Sequence, residues 1–167
     1  MRKIGDVSRL IDDRTIKKRR DHFIRDPSLH GELKNLIGRR VLPEIQKALN
    51  FEVTRLEDFR IARYDAETGG YFRIHRDNTS PGTAHRRWAM TLNLNTEDYE
   101  GGHLRFPEYG PHLYRPATGG AVVFSCTLLH EALDVRNGHR FVLLCFMYAA
   151  SGAKIRAKYL KRVRATS

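Results

Sequence analysis

Behind Ser28, apolar side chains recur at near-helical spacing: Leu29, Leu33, Leu36, Ile37, Val41, Ile45 and Leu49. This pattern predicts a helix capped by Ser28 and kinked or divided at Pro43, whose ring removes a backbone donor. An earlier helix is expected around Val7 to His22, with Lys17-Lys18-Arg19-Arg20 on its solvent face. After Phe51 the period shortens. Strands are expected over Asp58 to Tyr64, Tyr71 to Asp77, Trp88 to Asn95, Gly102 to Phe106, Ala121 to Ser125 and Arg140 to Tyr148. Turn signals separate them, among them Glu67-Thr68-Gly69-Gly70, Ser80-Pro81-Gly82, Tyr109-Gly110-Pro111 and Arg136-Asn137-Gly138. Many short strands without intervening helices indicate a sandwich or barrel. Helices first and strands afterwards give an α+β chain. One domain is expected over 1–167: helical support over 1–50, an all-β core over 51–150 and a basic tail over 151–167.

Composition narrows the class. At 167 residues, 41% hydrophobic and 29% charged, the chain suits one globular domain with a sizeable core. No apolar run reaches the ~20 residues needed to cross a bilayer, and the first residues lack the apolar stretch of a signal peptide. Cys126 and Cys145 sit in apolar, strand-like runs without CxxC spacing, so buried thiols in a reducing cytoplasm are expected. Of the net charge of +11, Lys154, Arg156, Lys158, Lys161, Arg162 and Arg164 form a block without an acid. A solvated helix explains that block. An arm for nucleic acid is the other explanation, and it carries the alternative function: a basic nucleic-acid- or ribosome-associated binding module with little turnover.

The chemistry concentrates in three places: His75-Arg76-Asp77, Leu129-His130-Glu131 and Gly138-His139-Arg140. Side chains two apart on an extended segment share a face, so His75 and Asp77 point together. A distant histidine such as His130, which follows the apolar run Ala121 to Ser125, completes two imidazoles and a carboxylate. That set holds a metal on one side and leaves positions open, as in non-haem Fe(II) oxygenases. Zinc also tolerates these three ligands. Arg140 lies ten positions beyond His130, where it can clamp the far carboxylate of a cosubstrate. No nucleophile elbow, phosphate loop or CxxC competes for the function.

Residues from about Phe59 to Tyr148 resemble the Fe(II)/2-oxoglutarate-dependent dioxygenases of the prolyl 4-hydroxylase type. The matching elements, in the family's order, are Tyr64, Gly69-Gly70-Tyr71-Phe72-Arg73-Ile74-His75-Arg76-Asp77, Thr91-Leu92-Asn93-Leu94-Asn95, Glu100-Gly101-Gly102-His103-Leu104-Arg105-Phe106, Gly119 to Phe124, His130 and Gly138-His139-Arg140. The resemblance implies a double-stranded β-helix, or jelly roll, with N-terminal helices and a short C-terminal helix. It implies that His75, Asp77 and His130 bind Fe(II). Arg140 would pair with the distal carboxylate of 2-oxoglutarate, Tyr64 would lie near that cosubstrate, and Thr91 and Asn93 would finish its pocket. O2 would be consumed, succinate and CO2 released, and ascorbate would serve as reductant. The substrate would be a peptide or protein, with prolyl hydroxylation one case, or a small molecule. Six arginines around the expected site suggest an anionic substrate, and Arg73, with the parity of His75, is expected to face it.

Overall fold

A computed structural model describes residues 16–166, with side chains as far as Ala165. The helix expected around Val7 to His22 lies partly outside these residues. The rest of it is corrected: Lys17–Lys18 forms β1 and Arg20–Phe23 forms β2. Both are edge strands, and the basic side chains that read as a helix face suit a sheet edge, where charge discourages further pairing. Of the described part of the 1–50 helical support, helix is carried chiefly by Pro27–Arg40 and Leu42–Leu49. The expected cap also moves. Asp26, not Ser28, accepts the Leu29 N–H at 2.7 Å, and Pro27 opens α1, Pro27–Arg40. Val41 separates it from α2, Leu42–Leu49, with Pro43 in the first turn, which is the division expected there.

The strands then follow: β3 Arg55–Leu56, β4 Arg60–Asp65, β5 Tyr71–His75, β6 Trp88–Asn93, β7 Tyr99–Gly101, β8 Leu104–Arg105, β9 Leu113–Tyr114, β10 Ala121–Ser125, β11 His130–Ala132 and β12 Val135–Tyr148. The 17-residue helix α3, Ala150–Thr166, is the C-terminal helix expected there and carries the basic block. One sheet runs β1-β5-β11-β8-β9 and the other β10-β6-β12-β4-β2, all pairs antiparallel. This is the jelly-roll arrangement. Among the described residues, no helix is long and apolar enough to cross a membrane.

Alternation along β12 divides the core. Leu143, Cys145 and Met147 turn toward Ile37 of α1 and Ile45 of α2 and complete a buried cluster with Phe59 and Met90. Val142, Leu144 and Phe146 turn the other way, between the sheets, with Tyr64, Tyr99, Leu104 and Phe124. Arg140 shares their parity, so the same strand that anchors the helices delivers a guanidinium to the interior.

Candidate metal centre

β5 ends at His75 and β11 begins at His130, and the sheet register sets these residues directly opposite each other. Their ring centroids are 4.2 Å apart. Asp77, two residues past His75, is fixed by its N–H donating to the Cys126 carbonyl at 3.0 Å. Its Oδ1 lies 3.3 Å from His75 Nε2 and its Oδ2 3.4 Å from His130 Nε2. One donor atom from each residue lies within 4.8 Å of the others.

Hydrogen bonds settle which ring nitrogen is free. His75 Nδ1 is 2.7 Å from the Arg73 carbonyl and His130 Nδ1 is 3.0 Å from the Leu128 carbonyl. A carbonyl only accepts, so each Nδ1 carries a proton, and Nε2 is the nitrogen that each ring turns toward Asp77 and can offer to a metal. Burial pushes the His130 pKa down despite the nearby Asp77 charge, which favours the neutral imidazole. Burial alone would raise Asp77, but the facing imidazoles of His75 and His130 and the Arg86 charge hold it below the usual carboxylate range. Two imidazoles and a carboxylate are a good donor set for Fe(II). Phe72 stacks on His75 at 3.5 Å and Phe124 meets His130 edge-on at 4.6 Å, which fixes both rings.

The three residues line a cavity with Arg19, Phe72, Thr91, Leu104 and Phe146. On the β12 face that brings Leu144 and Phe146 to this cavity, Arg140 stands opposite Tyr64 in the β12–β4 register, its guanidinium 5.0 Å from the phenol ring. Arg140 is 4% exposed. Its Nε has no hydrogen-bond partner, and no acidic side chain among the described residues pairs with it. A buried cation in that state is suited to an anion. Thr91 lines the cavity as expected, whereas the Asn93 amide donates to the Pro116 carbonyl at 2.7 Å and holds a loop.

Arg73 does not join them. Phe72 pairs with Ala132 and His75 with His130, so β5 carries one extra residue between the two pairs. This bulge reverses the parity. Phe72 takes the cavity-facing place, and Arg73 pairs with Asp134 at 2.9 Å and stacks on Tyr71 at 3.5 Å. Other arginines are also engaged: Arg76 with Glu108 at 2.7 Å, Arg86 with Glu57 at 2.7 and 2.8 Å, and Arg105 with Glu131 at 2.7 Å. Arg19 is the residue missed by the sequence reading. Its basic run looked solvent-facing, and only the pairing of β1 and β2 with different sheets turns its side chain inward.

The sequence pattern of the 2OG-Fe(II) oxygenase superfamily matches residues 59–148. The fold is similar to that of a Pseudomonas putida prolyl-4-hydroxylase, at 24% identity and a TM-score of 0.63, covering 80% of this chain and 73% of that one. It is also similar to the viral collagen prolyl hydroxylase of Paramecium Bursaria Chlorella virus-1 in its 2OG complex, at 18% identity and TM-score 0.63, covering 81% of each. A third is the Trichoplax adhaerens prolyl hydroxylase in complex with a hypoxia inducible factor oxygen degradation domain peptide fragment. The identity is 18% and the TM-score 0.63, covering 92% of this chain and 71% of that one.

Proposed function

The chain belongs to the 2OG-Fe(II) oxygenase superfamily, and we propose that it is a hydroxylase of a peptidyl substrate in which His75, Asp77 and His130 hold the iron. The observation that carries this is the convergence of those three residues on one cavity, each Nδ1 held by a carbonyl so that Nε2 faces the other ligands, with a buried Arg140 that has no acidic partner on the β12 face that carries Leu144 and Phe146 to the cavity wall. Iron and 2-oxoglutarate together supply oxidative decarboxylation to succinate and CO2, coupled to oxygen insertion into a substrate C–H bond.

The chain's own groups do the rest. The Arg73 and Leu128 carbonyls keep the two imidazoles in the ligating tautomer. Arg140 receives the distal carboxylate of 2-oxoglutarate, with two N–H groups available for a forked contact, and Tyr64 donates its hydroxyl to the same cosubstrate. Phe72, Leu104, Phe124 and Phe146 keep water from the reacting centre.

Prolyl hydroxylation is the first substrate to test, because the sequence resemblance and the three similar folds all point to prolyl hydroxylases. The anionic substrate expected from the arginine count loses support, since Arg73, Arg76, Arg86 and Arg105 are each paired with acids. The reading includes ascorbate as reductant, residues 1–167 as one catalytic domain and a cytoplasmic setting, the last in keeping with two free, buried thiols. The test is O2-dependent release of CO2 from 2-oxoglutarate with Fe(II) and ascorbate, followed by a screen of proline-containing peptides for a gain of one oxygen. Decarboxylation stimulated by a peptide supports the reading. No 2-oxoglutarate consumption with iron bound would reject it.

A further inference from the structure

The chain passes from one sheet to the other in a single residue. Lys17 and Lys18 pair with Phe72 and Tyr71 of β5, Arg20 to Phe23 pair with β4, and Arg19 alone links the two edges. With its neighbours pinned on both sides, the Arg19 side chain is 8% exposed and lines the cavity of the three candidate ligands. Its guanidinium lies 4.8 Å from the ring of Phe72, which stacks on His75. Nε is 2.8 Å from Asp21 Oδ1, Nη2 donates to Asp21 Oδ2 at 3.1 Å and Nη1 donates to the Tyr64 hydroxyl at 2.9 Å.

We infer that Arg19 is a positioning residue for the cosubstrate, acting through Tyr64; this rests on the function proposed above. A phenol hydroxyl has one proton to give, and arginine only donates. With Arg19 bonded to the hydroxyl oxygen, the Tyr64 proton cannot be directed at Arg19. It remains for another acceptor, such as a carboxylate held by Arg140 beside the Tyr64 ring. Tyr64 lies between the two cations, 5.8 Å from Arg19 and 5.0 Å from Arg140. Asp21 neutralises Arg19, which leaves the Arg140 charge for the anion. Arg19 therefore sets the direction of a hydrogen bond without itself binding the cosubstrate. The ordering is done before the cosubstrate arrives, which is the physical basis of preorganised affinity.

A double-mutant cycle on 2-oxoglutarate affinity tests this, measured by titration calorimetry on Mn(II)-loaded protein under nitrogen, so that no turnover intervenes. Arg19→Gln and Tyr64→Phe should each weaken binding about tenfold, the loss of one hydrogen bond to a charged group. Because they act through one bond, the double variant should be no weaker than either alone. Arg19→Lys keeps the Asp21 pair, and with it the fold, but its compact ammonium cannot serve Asp21 and Tyr64 together. It should behave as Arg19→Gln does, with an unchanged melting temperature. Wild-type affinity in either Arg19 variant, or losses that multiply in the double variant, would overturn the inference. Arg140→Ala separates the two readings. If it leaves affinity unchanged, the cosubstrate site itself is misassigned. If it weakens binding while the Arg19 variants do not, only the role of Arg19 falls.

Discussion

Replacing Arg140 by methionine should move affinity and stability in opposite directions. The side chain is 4% exposed, its Nε is unpartnered, and the Tyr64 ring at 5.0 Å is its closest described compensation. Loss of one partner from a buried charged pair costs about 2–4 kcal/mol. At ~1.4 kcal/mol per decade, 2-oxoglutarate should bind about 30- to 700-fold more weakly. In the protein without cosubstrate, the same change removes a buried charge that no acid offsets, and methionine fills similar space. Apolar replacement of buried charge is commonly stabilising. The lost cation–π contact returns part of that gain. A net gain of ~1 kcal/mol would raise Tm by about 2–4 °C in a chain of this size. Calorimetric titration of 2-oxoglutarate and thermal melts of the ligand-free protein measure the two effects. A variant that melts lower than wild type would show that the Arg140 charge is already satisfied in the folded chain. Unaltered affinity would place the distal carboxylate elsewhere.

Gly102 sits at φ +61, and a Cβ there would come within 2.8 Å of Arg140 Cδ and 3.1 Å of Val135 Cγ2; Gly102→Ala should displace Arg140 and lower 2-oxoglutarate affinity about tenfold, or ~1.4 kcal/mol, in the same titration. Burial alone would raise Glu57, but the Arg86 hydrogen bond and the charges of Arg86, His85 and Arg60 outweigh it and lower its pKa below the ordinary 4.5. Its stabilisation is therefore complete above that value and is lost as pH falls through the lowered one, so acid unfolding should steepen below about pH 4.5. Glu57→Ala, which strands Arg86 and His85, should cost about 3–5 kcal/mol in urea melts at neutral pH and flatten that acid limb. Burial pushes the Cys126 thiol far up and that of Cys145 up to about 12. Neither should be alkylated in the folded protein at pH 8, and both should react in denaturant, as mass spectrometry would record.

Six strand segments, the split at Pro43 and the pairing of His75 with Asp77 were legible from local period, whereas His130, Arg140 and Tyr64 were singled out chiefly through the family resemblance. Three features were not, each for a physical reason. The β5 bulge exchanged Arg73 for Phe72 at the cavity, and a bulge leaves no mark on a period-two pattern until its partner strand is known. Lys17 to Phe23 became two strands because open sheet edges offered backbone partners, a tertiary effect that overrides local helix preference. The Ser28 cap lost to Asp26 because Pro27 suits the first helical position and fixes the helix start two residues earlier than the apolar pattern suggests.

The central claim is that His75, Asp77 and His130 together hold one catalytic Fe(II). The most direct measurement is Fe(II) stoichiometry by anaerobic equilibrium dialysis, paired with succinate formed from 2-oxoglutarate, for wild type and His75→Ala, Asp77→Ala and His130→Ala. The wild-type protein should retain about one iron per chain, as three ligands at one site require. Each variant should lose both iron and succinate production while keeping its circular dichroism spectrum. A folded variant that binds iron and turns over like wild type would contradict the account, because that residue would then not be a ligand.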